Sequence, residues 1–281
     1  AGAEVVATSR TAQRGVKKWN LATWLTHEEL DKCFNGVQAL VHAGASVQTR
    51  RTVDEAEMFN VNVRACLNLG QWALARNIPI VHISGAIVYA DPYALNQKES
   101  APTSFSGLGK FYGFSKLMSE DIFLRLQQNG LKVSIVRPTS IYGKGLDKSK
   151  LLSRLLTLAI SKKTIELTPP TENKIDFIHA ADVSAAVVDI IKQKCWETFN
   201  LSSGDPTSIY KLAETCLKVA KSEDGIKVIN SNNPGSNNTV LFSLDNSRGR
   251  SRLGWTPRIS IKEGLEMIIS SEYDTRRFKK V

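Results

Sequence analysis

Short runs of β-branched and aliphatic residues recur through the first half of the chain, separated by longer stretches with helical spacing. EVVATSR (4–10), ALVHAGA (39–45), PIVHIS (79–84) and KVSIVRP (132–138) are short and bounded by turn residues, which predicts buried strands. Apolar positions over 53–77 repeat at helical spacing and stop at Asn77 and Pro79. Residues 110–128 do the same and stop at Asn129-Gly130. Strands alternating with helices imply a parallel sheet covered on both faces. The expected fold class is α/β, a doubly wound parallel sheet.

After Pro138 the pattern changes. Residues 149–162 predict a helix, Thr168-Pro-Pro-Thr171 a loop, and DFIHAADVSAAVVDIIK (176–192) a strand running into a helix. TFNLSS (198–203) predicts a strand, and DPTSIYKLAETCLKVA opens a helix with Thr207 or Ser208 as cap. The rest, with GSNNT and RGRSRLGWTP, reads as looser and polar. These changes predict a first domain from 1–139 with 175–203 and a smaller α/β domain from 140–174 with 204–281.

A chain of 281 residues, 42% hydrophobic and 23% charged, can bury one large core or two modest ones. No uninterrupted apolar run is long enough to span a bilayer, and the given residues show no charged-then-apolar leader pattern, so neither a span nor a leader is expected from them. Cys33, Cys66, Cys195 and Cys216 are scattered, without CxxC or His/Cys metal spacing, which predicts reduced thiols in a cytoplasmic protein. The net charge of +10 is spread, with clusters at Lys17–Lys18, Lys162–Lys163 and TRRFKKV. No basic run is interleaved with aromatics as in a strand-binding groove. Anionic small ligands are therefore favoured over nucleic acid as partners.

GLGKFYGFSKLMSE (107–120) admits two readings. Gly107, Gly109 and Gly113 resemble a phosphate-cradling loop, but such a loop follows a strand directly, and the polar DPYALNQKESAPTSFS precedes this one. Tyr112 and Lys116 are instead four apart and share a helix face. An ammonium beside a phenol is expected to depress its pKa from about 10 toward neutrality. Such a tyrosine can exchange a proton with a substrate hydroxyl.

Around this pair the chain resembles the extended short-chain dehydrogenase/reductases, the NAD(P)-dependent sugar-nucleotide epimerases, dehydratases and related reductases. ALVHAGA, NVRACLNL, VHISGAIVYADP, ESAP, FYGFSK, VRPTSIYG, DFIHAADVSAA, FNLSSGDPTSIYKLAE and LGWTPRISIKEGL are similar to family segments in the family's order. The resemblance implies a Rossmann NAD(P)-binding domain followed by a substrate-binding domain. It implies catalysis by Tyr112, Lys116 and a Ser or Thr, with Ser9, Arg10, Asn20, Leu21, Ala43, Gly44, Ala45, Asn62, Pro138, Thr139 and Ile141 lining the cofactor. Gly85, Ser140 and Lys174 fall at substrate-contacting positions. Family members often dimerise through the YxxxK helix and the preceding long helix, so a homodimer is expected.

The chain departs from the pattern in three places. It begins at what resembles the family's second strand, without the GxxGxxG loop, a difference on the order of 25 residues. A longer protein is the expectation, and without that strand the sheet should not close. The usual catalytic hydroxyl position is Gly85, leaving Ser84 as either the substitute or a serine ending a buried strand, with Thr139 or Ser140 as further candidates. Ile175, preceded by Lys174, replaces an arginine that pairs with a diphosphate in many nucleotide-sugar members. Thr8-Ser9-Arg10 carries no acid at the end of its strand, which favours NADP(H). Tyr89, Tyr142 and His179 read as structural groups. Open alternatives are an NADPH-dependent carbonyl reductase, and a non-catalytic cofactor-sensing or RNA-binding relative.

Overall fold

The computed structural model describes residues 2–11, 15–47, 54–107, 109–229 and 241–273; GSNNT and TRRFKKV lie outside them. The chain opens with strands β1 (Ala7–Ser9) and β2 (Val16–Lys18), helix α1 (His27–Cys33) and strand β3 (Leu40–His42). Helix α2 (Glu55–Phe59) runs through a π-helical turn at Asn60–Arg64 into α3 (Ala65–Arg76). Strand β4 (Ile80–Ile83), helix α4 (Lys110–Gln128) and strand β5 (Val133–Pro138) follow. Next come β6 (Ser140–Tyr142), α5 (Leu151–Ile160), β7 (Ile165–Leu167), β8 (Lys174–Ile175) and β9 (Phe177–His179). Helix α6 (Ala180–Gln193) leads to β10 (Thr198–Leu201), β11 (Thr207–Ser208) and α7 (Ile209–Ala220). The described chain ends with β12 (Ile226–Val228), β13 (Leu241–Phe242), α8 (Ser247–Leu253), α9 (Ile261–Ile268) and a π-helical turn at Ile269–Tyr273.

Two compact units result, one of Ala1–Asp91, Glu99–Arg137 and Val187–Phe199, the other of Pro92–Lys98, Pro138–Ala186 and Asn200–Val281. The domain bounds read from the sequence pass through the middle of the chain differently. Strands β6 and β9 pair with each other within the second unit.

In the first unit the sheet has the order β10-β5-β4-β3, with β3, β4 and β5 parallel. Helices α3 and α4 bury Leu69, Trp72 and Phe123 against Ile80 and Val133 of the sheet, with Trp19, Leu30 and Phe34 completing the core. Truncating a buried phenylalanine such as Phe123 costs about 3–5 kcal/mol. Strands β1 and β2 form a parallel pair of their own, with no described strand joining them to β3. The first expected strand is shorter than 4–10, because Val5 and Val6 are exposed and find no sheet neighbour.

Helix α1 had no sequence expectation. Its signal is local: Thr26 caps the Glu29 amide while the Glu29 carboxylate takes the Thr26 amide, a reciprocal cap. Asp31 on α1 accepts from Trp72 Nε1 at 2.8 Å and from the Arg76 guanidinium at 2.7 Å. The Arg76 and Trp72 hydrogen bonds hold the Asp31 carboxyl down at about 2. Its folded pKa lies below its unfolded value, so this contact stabilises fully above the usual carboxylate range and fades as pH falls through about 2. A carboxyl-resolved NMR titration should place Asp31 there, and Arg76→Ala should move it up.

In the second unit α5, α7 and α9 pack Leu152, Leu155, Leu156, Leu212, Leu217 and Leu265 around Tyr142 and Ile165. The stretch RGRSRLGWTP is not loose as expected. It contains α8, which buries Gly249 and Leu253 and ends at Gly254 with φ of 66°. Ser260 and Glu263 give α9 a second reciprocal cap.

Candidate active site

Helix α4 starts at Lys110 and carries Tyr112 and Lys116 one turn apart. The glycines before and within its first turn serve close packing. A β-carbon on Gly109 would sit 2.7 Å from Gly113 Cα, and one on Gly113 would sit 3.4 Å from Ile87 O. They let the helix start lie against the short 3-10 turn at Ala86–Val88, and no described strand feeds them.

Lys116 is 3% exposed, and its Nζ donates to Ile83 O at 2.6 Å. That bond fixes the ammonium at the carboxyl end of β4, beside Ser84 and Gly85. Tyr112 is half-buried. Burial raises the phenol above its ordinary pKa and lowers the Lys116 ammonium below its own. The expected depression of the phenol is therefore not present in this state, because desolvation dominates and the lysine hydrogen bond goes to a carbonyl.

Ser115 Oγ donates to Tyr112 O at 2.8 Å and accepts from Asn62 Nδ2 at 2.9 Å. The same Asn62 nitrogen donates to Ser46 O at 2.9 Å, and Asn62 Oδ1 accepts Ser46 N at 2.7 Å. Both amide hydrogens of Asn62 are thus spent inside the protein, so this residue, expected to line a cofactor, tethers the Ala43-Gly44-Ala45-Ser46 segment to α4. Ser115 had no place in the sequence reading; its position three residues after Tyr112 is the only signal it left.

Ser84 is buried, and its Oγ has no hydrogen-bond partner among the described residues. Gly85 adopts extended backbone, φ 176° and ψ 160°, which any residue accommodates. A β-carbon there meets only Ile87 Cγ2, at 3.9 Å. Gly85→Ser should therefore fold normally, with a thermal melting temperature that matches the wild type.

The remaining expected site residues fall in both units. In the first, Ser9 ends β1 and exposed Arg10 pairs with Glu57 at 3.3 Å. Exposed Asn20 closes a turn onto Ala22 N at 3.1 Å, and half-buried Leu21 packs over Gly44, with Ala43 and Ala45 beside it after β3. Ser9, Ala43–Ala45 and Ser84-Gly85 all stand at carboxyl ends of parallel strands, where open α/β sheets bind ligands. That placement fits a dinucleotide.

In the second unit Pro138 closes β5 and Thr139 Oγ1 donates to Asp176 Oδ1 at 3.0 Å. Asp176 also accepts from Ser203 N at 2.8 Å and Gly204 N at 3.1 Å, so the Thr139 hydroxyl belongs to a buried network. Ser140 and Ile141 are exposed on β6, and Lys174 is exposed on β8 beside half-buried Ile175. Tyr89 OH accepts from Arg137 Nη1 at 3.1 Å, Tyr142 OH donates to Ser260 O at 3.0 Å, and His179 Nδ1 accepts from Ala181 N at 3.2 Å. Each of the three has a structural partner.

Fold and site together define a parallel-sheet α/β protein whose helix α4 carries Tyr112 and, one turn on, a buried Lys116 held at the carboxyl end of β4. Residues 1–202 match the NAD dependent epimerase/dehydratase family, and the chain belongs to it. It is similar to the putative UDP-glucose 4-epimerase of Methanocaldococcus jannaschii, 24% identical over 246 residues, covering 84% of this chain and 77% of that one. It is likewise 24% identical to the dTDP-4-dehydro-6-deoxyglucose reductase of Escherichia coli over 248 residues, 84% of this chain and 75% of that one. Among solved structures, the UDP-glucose 4-epimerase of Thermotoga maritima superposes with a TM-score of 0.81 at 16% identity, covering 99% and 93% of the two chains. The chain is thus an oxidoreductase-family enzyme of the epimerase/dehydratase type. Among the described residues no helix is long and apolar enough to cross a membrane.

Proposed function

We propose that the protein is an NAD(P)-dependent oxidoreductase that acts on a hydroxyl or ketone carbon of a sugar nucleotide, with Tyr112 as proton donor and acceptor. The observation that carries this is Lys116, a buried cation on the same helix face as Tyr112, held by the Ile83 carbonyl at the end of β4. When bound, the nicotinamide supplies the hydride acceptor and donor. The chain's own part is to orient and to move one proton. Tyr112 Oη takes the proton of the substrate hydroxyl as that carbon is oxidised and returns it on reduction. Ionising the phenol is favoured when the Lys116 ammonium turns toward it, which counters the burial that raises its pKa. Ser84 or a residue at 85 would polarise the substrate oxygen, and Leu21, Gly44 and Arg10 would hold the adenosine half. The relatives named above act on UDP- and dTDP-linked sugars by their names, which supports that substrate class.

Absorbance of reduced nicotinamide and product analysis on UDP- and dTDP-sugars, with each cofactor, test this reading. Turnover of at least one sugar nucleotide is expected. Tight RNA binding at moderate salt with no hydride chemistry on any sugar or carbonyl would overturn it. A carbonyl reductase of the same family is the second reading, favoured by apolar Ile175 where a diphosphate-binding arginine would stand. Arg10 supports a preference for NADP(H): Arg10→Ala should lower kcat/KM for NADPH about tenfold or more while leaving NADH little changed, since hydrogen bonds to charged groups contribute about 1.5–3 kcal/mol. Exposed Phe59 and Leu124 on α2 and α4 support a homodimer through those helices.

A further inference from the structure

His42 and His82 are direct partners in the parallel register of β3 and β4, so both rings leave the same face of the sheet. The rings stack with centroids 5.4 Å apart and 22° between planes. Cys66, in the first turn of α3, closes the group: its Sγ and one nitrogen of each ring lie within 4.8 Å of one another. Cys66 and His82 are fully buried, and His42 is 5% exposed.

The hydrogen bonds assign the protons. Ser119 Oγ donates to Lys116 O at 2.6 Å, which uses its single hydrogen. Its 2.9 Å contact with His82 Nε2 must therefore have the ring as donor. His82 then carries its free lone pair on Nδ1, and neither that atom nor His42 Nε2 has a hydrogen-bond partner among the described residues. Buried polar atoms left without partners call for an explanation. A ring nitrogen that donates to an oxygen while the other nitrogen has no hydrogen-bond partner is the pattern of a histidine whose second nitrogen serves a metal.

We propose that His42, Cys66 and His82 form a buried three-coordinate site for a soft monovalent ion, cuprous copper by chemical class. Thiolate and imidazole select Cu(I), and with one thiolate its net charge is zero. Charge matters because all three side chains are buried, where an uncompensated net charge is costly. Zinc would leave a net positive centre there and wants a fourth ligand, and among the described residues no fourth His, Cys, Asp or Glu joins the group. Metal bonds of about 2.0–2.3 Å place three ligands roughly 3.5–4 Å apart, so the trio closes by about an ångström at its widest. On binding, the S–Cu bond forms and the Cys66 S–H bond breaks. That proton, now directed at Asn62 O at 3.0 Å, leaves to solvent.

The test is to unfold the protein and refold it anaerobically with one equivalent of Cu(I), or separately Zn(II), then dialyse against a competing chelator. One retained copper per chain is expected, with an X-ray absorption shell of one sulfur and two imidazole nitrogens. Cys66→Ser should retain copper at least tenfold less tightly, and Ser119→Ala, which removes the outer partner of His82, about 10–100-fold less tightly. If Cys66→Ser fails to refold, the absorption shell of the wild type decides alone. No retained copper, a shell without sulfur, equal retention by Cys66→Ser, or retention of zinc in preference to copper would each overturn the proposal.

Discussion

Tyr112→Phe is expected to lower kcat by about 10²–10⁴-fold, the contribution of a positioned proton donor, while leaving cofactor affinity nearly intact. The substitution removes one oxygen from a half-buried ring whose backbone stays tied through Ser115 to Asn62, so the helix and its packing are retained. Thermal melting should match the wild type, and titration with reduced cofactor should give an unchanged Kd. A lost Kd together with lost turnover would mean the ring serves binding and not proton transfer. Lys116→Met makes a contrasting pair: it removes the cation that engages Ile83 O, so both turnover and the placement of α4 on β4 suffer.

The second large effect concerns stability. Arg137 on β5 and Glu120 on α4 form a buried ion pair, 2.6 Å between Nη2 and Oε2, at 8% and 1% side-chain exposure. The guanidinium also donates to Tyr89 OH at 3.1 Å and Glu99 O at 3.2 Å and lies over the Tyr89 ring at 5.0 Å. Replacing Glu120 by leucine leaves a buried guanidinium without its counter-charge, at a cost of about 3–5 kcal/mol. Glu120→Leu with Arg137→Met removes both charges together and should recover much of that loss. Denaturant melts of the single and double variants give the comparison. Because Glu120 lies one turn beyond Lys116, the single variant should also loosen α4.

Much of this architecture was legible in the sequence. The helix expected over 110–128 is α4 to the residue, since Asn129-Gly130 stops it and its apolar positions face Phe34, Trp72 and the sheet. Strands β4 and β5 followed from equally local signals. Helices α1 and α8 were missed because their evidence is a cap or a single packed glycine, with few apolar residues to set a period. The spacing that puts Tyr112 and Lys116 one turn apart on a helix was legible, but the electrostatic state was not, because the burial that raises the phenol comes from tertiary packing. The His42, Cys66 and His82 group was invisible to a search for ligand spacing. Those positions are far apart along the chain and meet only where the β3–β4 register pairs the two histidines and α3 brings Cys66 to them, although the repeated Val-His in ALVH and PIVH carries the hint.

The most direct measurement compares turnover of a sugar nucleotide carrying deuterium on the carbinol carbon with its unlabelled form. The account predicts slower turnover of the deuterated substrate by the wild type, and no measurable turnover by Tyr112→Phe. Equal rates for the two isotopes, with Tyr112→Phe as active as the wild type, would contradict it.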